Sequence, residues 1–102
     1  MTEGYPELIS LIKDRMKSKY GIGRDFDSII ITSGAQQVMD LSTKVLCNEG
    51  DVVICESPSF IGSLNCFRSY NAKLVGVPVD ADGMNIEALE KALDENPNAK
   101  MI

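Results

Sequence analysis

Histidine is absent from this sequence of 102 residues, and cysteine occurs only three times. Without histidine, these residues cannot form the Ser–His or Cys–His pairs that activate many enzymatic nucleophiles. The cysteines Cys47, Cys55 and Cys66 are odd in number, and their spacing is not that of metal ligands. Cys55 lies in an apolar run, where a free thiol behaves as a small hydrophobic group. The sequence therefore predicts no metal site and favours a reducing, cytoplasmic environment.

Basic residues and long apolar runs are also scarce. Ten Lys and Arg face fifteen Asp and Glu, which gives a net charge of −5 and a pI near 4.6. This balance argues against a nucleic-acid-binding surface. No apolar run approaches the roughly 20 residues that span a bilayer, and the first residues lack the layout of a signal peptide. The sequence therefore predicts a protein that binds neither nucleic acid nor membrane.

What is present is a regular alternation of helical and strand patterns along the chain. Helices are predicted over residues 5–20, 35–47 and 63–70, and a fourth between the N-cap Asn85 and Asn96-Pro97. Strands are predicted over residues 28–32, 52–55, 73–79 and 100–102. This alternation is typical of a parallel α/β sheet with right-handed crossovers. The 102 residues are expected to form one domain or part of one.

The first predicted strand turns directly into a helix through Thr32-Ser33-Gly34. A helix that starts there leaves its first backbone N–H groups unpaired, at the positive end of its dipole. Gly34 would let the backbone approach an anion, and Ala35 would keep the entrance small. The same residues also suit an ordinary tight turn that binds nothing. The pattern thus leaves two interpretations, a phosphate or carboxylate site and a plain β–α turn.

Phe60 is the second residue of functional interest. It follows a predicted buried strand and a Ser-Pro-Ser turn, at the carboxyl end of the sheet where ligands of α/β folds bind. From the residues alone, a ring that fills the core is the more common arrangement. A ring that contacts a ligand is the alternative. The charged residues Glu56, Asp51 and Arg68 are expected to be structural or solvated rather than catalytic.

Several short motifs follow one another in a fixed order. They are Gly4-Tyr5-Pro6-Glu7-Leu8, Thr32-Ser33-Gly34-Ala35-Gln36-Gln37, Asn48-Glu49-Gly50-Asp51, Glu56-Ser57-Pro58-Ser59-Phe60-Ile61-Gly62 and Val77-Pro78-Val79-Asp80 with Asp82-Gly83. In this order and spacing, they resemble the fold-type-I aminotransferases that use pyridoxal 5′-phosphate, in the class I/II branch with the aminoadipate-type enzymes. The resemblance implies a partial three-layer α/β/α fold with a mostly parallel sheet.

The resemblance also implies a site and a division of the chain. It assigns the cofactor phosphate to Gly34, Ala35 and Gln36, and the face of the pyridine ring to Phe60, where the family often has tyrosine. Residues 1–24 would be an N-terminal helix region and residues 25–102 the beginning of the cofactor-binding large domain, truncated at its C-terminal end. The family's cofactor-binding lysine, its acid beside the pyridine nitrogen and its substrate-binding arginine would lie beyond residue 102, so no catalytic residue is predicted here.

The resemblance leaves the function of the parent protein open between two main classes. An enzyme would transfer an amino group between an amino acid and a 2-oxo acid, and family members are usually homodimers. A transcription regulator would use the same kind of domain to sense the cofactor or an amino acid. A third possibility, a free-standing small α/β binding module, would require a stable monomer with bound ligand and a protected sheet edge.

Overall fold

The computed structural model describes residues 2–102, which form four helices and four strands. The helices are α1 (Pro6–Tyr20), α2 (Gly34–Leu46), α3 (Ile61–Ser69) and α4 (Ile86–Glu95). The strands are β1 (Val52–Ser57), β2 (Lys73–Asp80), β3 (Gly83–Met84) and β4 (Ala99–Met101). The chain divides into two compact units, one ending at Gly34 and the other beginning at Ala35. None of the helices in residues 2–102 is both long enough and apolar enough to cross a membrane.

The first unit contains helix α1, whose limits follow from its terminal residues. Tyr5 is the N-cap and Pro6 the first helical residue, where a missing N–H costs no hydrogen bond. Gly21 ends the helix in the left-handed conformation, with φ of 63°, and its N–H donates to the Lys17 carbonyl oxygen at 3.1 Å. No residue of α1 is fully buried.

The predicted strand at residues 28–32 is wrong, because this segment forms no ladder with another strand. The Ile31 N–H donates to the Glu3 carbonyl oxygen at 2.8 Å, and Ile30 is 62% exposed rather than buried on both faces. β-branched residues favour a strand only where a neighbouring backbone edge can pair with them. Within residues 2–102, the hydrogen bond of Ile31 goes instead to Glu3, which lies outside the four strands.

The second unit is built on a sheet with the order β3-β2-β1-β4. Strand β1 pairs in parallel with β2 and with β4, and β3 is antiparallel to β2. The prediction of a mostly parallel sheet is confirmed, and strands β1, β2 and β4 lie within two residues of their predicted limits. The two-residue strand β3 was not predicted, since so short a segment has no periodicity to detect.

Helices cover both faces of this sheet, which confirms the three-layer arrangement. Alternate residues of β1 point to opposite faces, as strand geometry requires. Val52 and Ile54 pack with Ala92 of α4 on one face, whereas Val53 and Cys55 pack on the other. The latter face is covered by Phe67 of α3 and, from α2, Met39. With Val52, Val53 and Ile54 each 1% exposed, β1 is the buried centre of the sheet.

Candidate functional site

Helix α2 begins at the residues to which the resemblance assigns the cofactor phosphate. Gly34 is its first residue and has φ of 76°, a conformation that side chains other than glycine rarely adopt. A Cβ atom placed on Gly34 would meet no atom within 4 Å, so glycine is required by the backbone angle and not by crowding. Ala35 and Gln36 follow as exposed residues, and the first turn carries no acidic side chain. The start of α2 is therefore an open surface with backbone N–H donors.

Gln36 and Phe60, which are far apart in the sequence, meet at Gly62. The Gln36 Nε2 amide donates a hydrogen bond to the Gly62 carbonyl oxygen at 3.0 Å. The Phe60 ring lies against the same glycine, because a Cβ atom on Gly62 would be 2.5 Å from Phe60 Cε1. Two of the predicted cofactor-binding residues are therefore brought together, through a residue to which the sequence assigned no role.

Phe60 is not a core residue, so the more common interpretation of an aromatic ring at this position does not apply. Its side chain is 67% exposed, and the residue is the N-cap of α3 with an extended backbone. The Phe60 carbonyl oxygen accepts the N–H groups of Ser63 and Leu64, at 3.1 and 3.2 Å, which fixes the backbone at the helix start. An exposed ring on a fixed backbone, three residues beyond the end of β1, is suited to contact with a flat apolar ligand.

A groove of about 470 Å³ opens at the carboxyl end of β1. Its wall includes Val38 and Ser42 of α2, Glu56 of β1, and Ser59 and Ser63 around the start of α3. Both helices therefore contribute hydroxyl groups to the groove, and both also contribute apolar side chains, Val38 from α2 and Phe67 from α3. Carboxyl ends of parallel strands are the usual location of ligand sites in α/β folds. The serines were not predicted as site residues, since nothing in their spacing distinguishes them from turn residues.

The predicted structural role of the charged residues holds where the structure describes their partners. Asp51 accepts the Asn48 N–H at 2.7 Å within the turn before β1. Glu56 and Arg68 are exposed. The sequence has no Lys or Arg between Thr32 and Met39, so an anion at the start of α2 would be held there by backbone N–H groups and hydroxyls.

The three thiols are not activated nucleophiles. Burial raises the pKa of Cys55 above its ordinary value, and burial followed by the charge of Asp40 raises the pKa of Cys66. Burial and the charge of Asp51 raise the pKa of Cys47. Because the thiolate is the reactive form, a raised pKa keeps each thiol in its less reactive, protonated form near neutral pH. All three cysteines are free.

A hydrogen bond between helices α2 and α3 lies behind the site. The Tyr70 hydroxyl, just after α3, donates to Asp40 Oδ1 of α2 at 2.8 Å. This hydrogen bond, together with desolvation and the charge of Asp40, raises the pKa of Tyr70 above its ordinary value of 10.0. The bond links the helix that begins at Gly34 to the helix that begins after Phe60.

The alternating elements and the mostly parallel sheet with helices on both faces form an α/β fold. The family model for aminotransferase class I and II matches residues 1–102. The chain therefore belongs to the class I and II aminotransferase family.

Relatives and solved structures agree with this assignment. The aromatic-amino-acid aminotransferase 1 of Thermococcus litoralis is 35% identical over 94 residues, which are 92% of this chain and 22% of that protein. The 2-aminoadipate transaminase of Thermus thermophilus is 35% identical over 92 residues, 90% of this chain and 22% of that protein. The kynurenine aminotransferase of Pyrococcus horikoshii, solved with PMP, superposes with a TM-score of 0.86 at 37% identity, over 93% of this chain and 23% of that one.

Regulators are also among the relatives. The HTH-type transcriptional regulator YjiR of Escherichia coli is 42% identical over 72 residues, which are 70% of this chain and 15% of that protein. The chain thus spans about a fifth or less of the length of the curated relatives described here.

Proposed function

We propose that the protein containing residues 1–102 transfers an amino group between an amino acid and a 2-oxo acid with pyridoxal 5′-phosphate as cofactor. The observation that carries the proposal is the family match over the whole chain. It is supported by the exposed helix start at Gly34 and by the exposed ring of Phe60. The packing of the fold requires neither the exposed helix start nor the exposed ring. Together they suit a ligand that has both a phosphate group and an aromatic ring.

In this proposal, the start of α2 binds the phosphate group. The backbone N–H groups of Gly34, Ala35 and Gln36 donate hydrogen bonds to its oxygens, and the helix dipole favours its negative charge. No lysine or arginine of residues 33–38 assists them, so part of the phosphate charge is met by groups elsewhere in the protein. The task of this segment is to bind and orient the cofactor.

Phe60 would fix the plane of the cofactor ring. A stacked aromatic pair contributes about 0.5–1.5 kcal/mol beyond the area that it buries. When bound, the cofactor supplies the reactive carbonyl group and the electron-withdrawing ring on which amino transfer depends. The residues of this chain hold that ring in place and supply no acid or base. The predicted absence of a catalytic residue from residues 1–102 stays part of the proposal, as does a homodimeric state.

The test uses the protein that contains residues 1–102 and two matched variants. Amino transfer is measured with a panel of amino acids and a 2-oxo acid, and the cofactor dissociation constant by titration. Phe60→Ala should weaken cofactor binding by about threefold to tenfold, since it removes one stacked face. Phe26→Ala removes a ring that is 80% exposed and to which the proposal assigns no role, so it should leave binding unchanged. Absence of amino transfer, or equal effects of both variants, would contradict the proposal.

A second candidate function is supported by the regulator relative, which is 42% identical over 72 residues. In that case, the same domain would sense the cofactor or an amino acid and would control DNA binding. Sequencing the gene upstream of Met1 separates the two candidates. A basic helix-turn-helix segment there, combined with no amino transfer by the protein, would favour the regulator.

A further inference from the structure

Gly62, the second residue of α3, is contacted by two side chains. A Cβ atom on Gly62 would lie 2.5 Å from Phe60 Cε1 and 3.1 Å from Phe60 Cζ. It would also lie 3.1 Å from Gln36 Oε1, a tight contact, so a methyl group would overlap the Phe60 ring and press on the Gln36 amide. In addition, the Gly62 carbonyl oxygen accepts the Gln36 amide at 3.0 Å. One glycine therefore connects the start of α2 to the ring at the start of α3.

The ring of Phe60 has few other neighbours to fix its position. It is 67% exposed, and an exposed side chain ordinarily exchanges between staggered rotamers. Contact with Gly62, which has no side chain, restricts one edge of the ring, and the rest of the ring stays exposed. The Gln36 side chain keeps Gly62 in place through its hydrogen bond, so this amide is directed at the α3 backbone.

We propose that Gly62 and the side chain of Gln36 are positioning residues that set the orientation in which Phe60 receives the pyridine ring of the cofactor, an inference that rests on the proposed function. Gln36 then has two separate tasks. Its backbone N–H belongs to the phosphate-binding helix start, and its side-chain amide fixes the ring-binding residue. The proposed phosphate-binding and ring-binding regions are thereby connected through a single hydrogen bond.

A methyl group at position 62 should move the ring without unfolding the chain. Alanine is favoured over glycine inside helices, so helix propensity alone predicts that Gly62→Ala stabilises α3. The atoms that the methyl group would overlap belong to the end of an exposed side chain, which can rotate away. The expected result is an intact fold with a displaced Phe60 ring. This combination distinguishes a positioning role from a purely structural one.

Fluorine NMR of the chain labelled with 4-fluorophenylalanine detects the ring without any ligand. The sequence has three phenylalanines, Phe26, Phe60 and Phe67, and loss of one signal in Phe60→Leu assigns the resonance of interest. Gly62→Ala and Gln36→Leu should each shift or broaden the Phe60 signal. The signal of Phe67, which is 7% exposed in the core, should stay unchanged as an internal control.

Gly76→Ala is the matched control for the glycine substitution. Gly76 lies in β2, and a Cβ atom there would meet the Ser57 side chain at 3.1 Å but not Phe60. This variant should leave the Phe60 signal in place. An unchanged Phe60 signal in Gly62→Ala would overturn the inference. A Phe67 signal that moves equally would also overturn it, because the change would then lie in the core.

Ligand titrations then separate this inference from the proposed function. The probes are pyridoxine 5′-phosphate, pyridoxine and inorganic phosphate, none of which has an aldehyde that reacts with lysine. Gly62→Ala should weaken the binding of the two ring-containing probes by about threefold to tenfold and leave the binding of inorganic phosphate unaffected. In a Phe60→Ala background, the same substitution should have no further effect.

Failure of the proposed function and failure of the positioning role give different experimental results. If the unaltered protein that contains residues 1–102 binds no pyridoxine 5′-phosphate, the proposed function is contradicted, whether or not the fluorine signal responds. If the chain binds this probe and Gly62→Ala leaves its affinity unchanged, only the positioning role is contradicted. An additive effect of Gly62→Ala and Phe60→Ala would also overturn the positioning role, because the glycine would then act independently of the ring.

Discussion

Ala35 illustrates how a small, uncharged residue can serve a binding site. It is exposed in the first turn of α2, a turn that contains no acidic residue. Aspartate and glutamate are favoured in first turns because they interact with the positive end of the helix dipole. A first turn without them leaves that dipole and its N–H groups for an anion from outside the helix.

Replacing Ala35 with glutamate should therefore change stability and phosphate binding in opposite directions. The added carboxylate is expected to stabilise α2 by about 0.3–1 kcal/mol and to weaken the binding of pyridoxine 5′-phosphate by repulsion. Urea unfolding measures the first effect and ligand titration the second. Ala35→Gln adds the same bulk without charge and should show neither effect to the same extent. Equal effects of the two variants would mean that α2 does not receive the phosphate.

Helices α2 and α3 are connected by the hydrogen bond from Tyr70 to Asp40 as well as by the bond from Gln36 to Gly62. These two contacts join positions 30 and 26 residues apart in the sequence. One lies beside the proposed ring-binding residue, and the other follows the last turn of α3. The orientation of the two helices at the site thus depends on polar contacts as well as on the core.

The Tyr70 contact predicts a specific pH dependence of stability. The pKa of Tyr70 is raised in the folded state, so the folded chain keeps its phenolic proton at pH values where the unfolded chain has lost it. The stabilisation is complete below pH 10, the ordinary pKa, and is lost as the pH rises from there through the raised value. Tyr70→Phe removes this dependence. Urea unfolding at pH 8 and pH 10.5 should show a larger drop for the unaltered chain than for Tyr70→Phe, and equal drops would contradict the account.

Elements whose limits depend on local patterns could be predicted from the sequence. The apolar run of β1 and the N-cap at Asn85 are examples, and the Asn85 side chain accepts the Ala88 N–H at 2.8 Å. The segment 28–32 was predicted wrongly because its strand propensity says nothing about whether a partner edge is free. Pairing is a property of the assembled sheet, and sequence patterns do not contain it.

The candidate site likewise has parts that local sequence predicts and parts that depend on contacts between distant residues. The helix start at Gly34 and the ring at Phe60 were identified from local sequence and from the resemblance to a family. Gly62 was part of a quoted motif, yet its role could not be inferred, because its neighbour Gln36 lies 26 residues earlier. A glycine two positions after an aromatic residue at a helix start is the only local signal, and it does not reveal the second contact.

In the proposed function, residues 1–102 carry a cofactor-binding segment without the groups that would complete the chemistry. None of its lysines is buried, and two of them, Lys17 and Lys91, form exposed ion pairs with acidic residues. A lysine becomes a strong nucleophile when burial or a neighbouring cation lowers its pKa. Burial of this kind is absent from the lysines that the structure describes.

Residues 1–102 alone should therefore transfer no amino groups and should bind the cofactor only weakly. A few hydrogen bonds and one stacked face must offset the cost of association, which leaves a dissociation constant of roughly millimolar. The measurement is incubation with pyridoxal 5′-phosphate, reduction with borohydride and mass spectrometry of the peptides. Sparse labelling spread over several lysines is expected. Stoichiometric labelling of one lysine, together with amino transfer, would show that the chain is complete for catalysis.

The most direct test of the proposed cofactor site is a titration of the ¹⁵N-labelled chain with pyridoxine 5′-phosphate, followed residue by residue by NMR. We expect saturable shifts with a dissociation constant of roughly millimolar, largest at the amides of Gly34, Ala35 and Gln36 and at Phe60. Inorganic phosphate should move the three amides at the helix start and leave Phe60 in place. Shifts that do not saturate, or that are spread over the exposed lysines instead of these four residues, would contradict the assignment of the site.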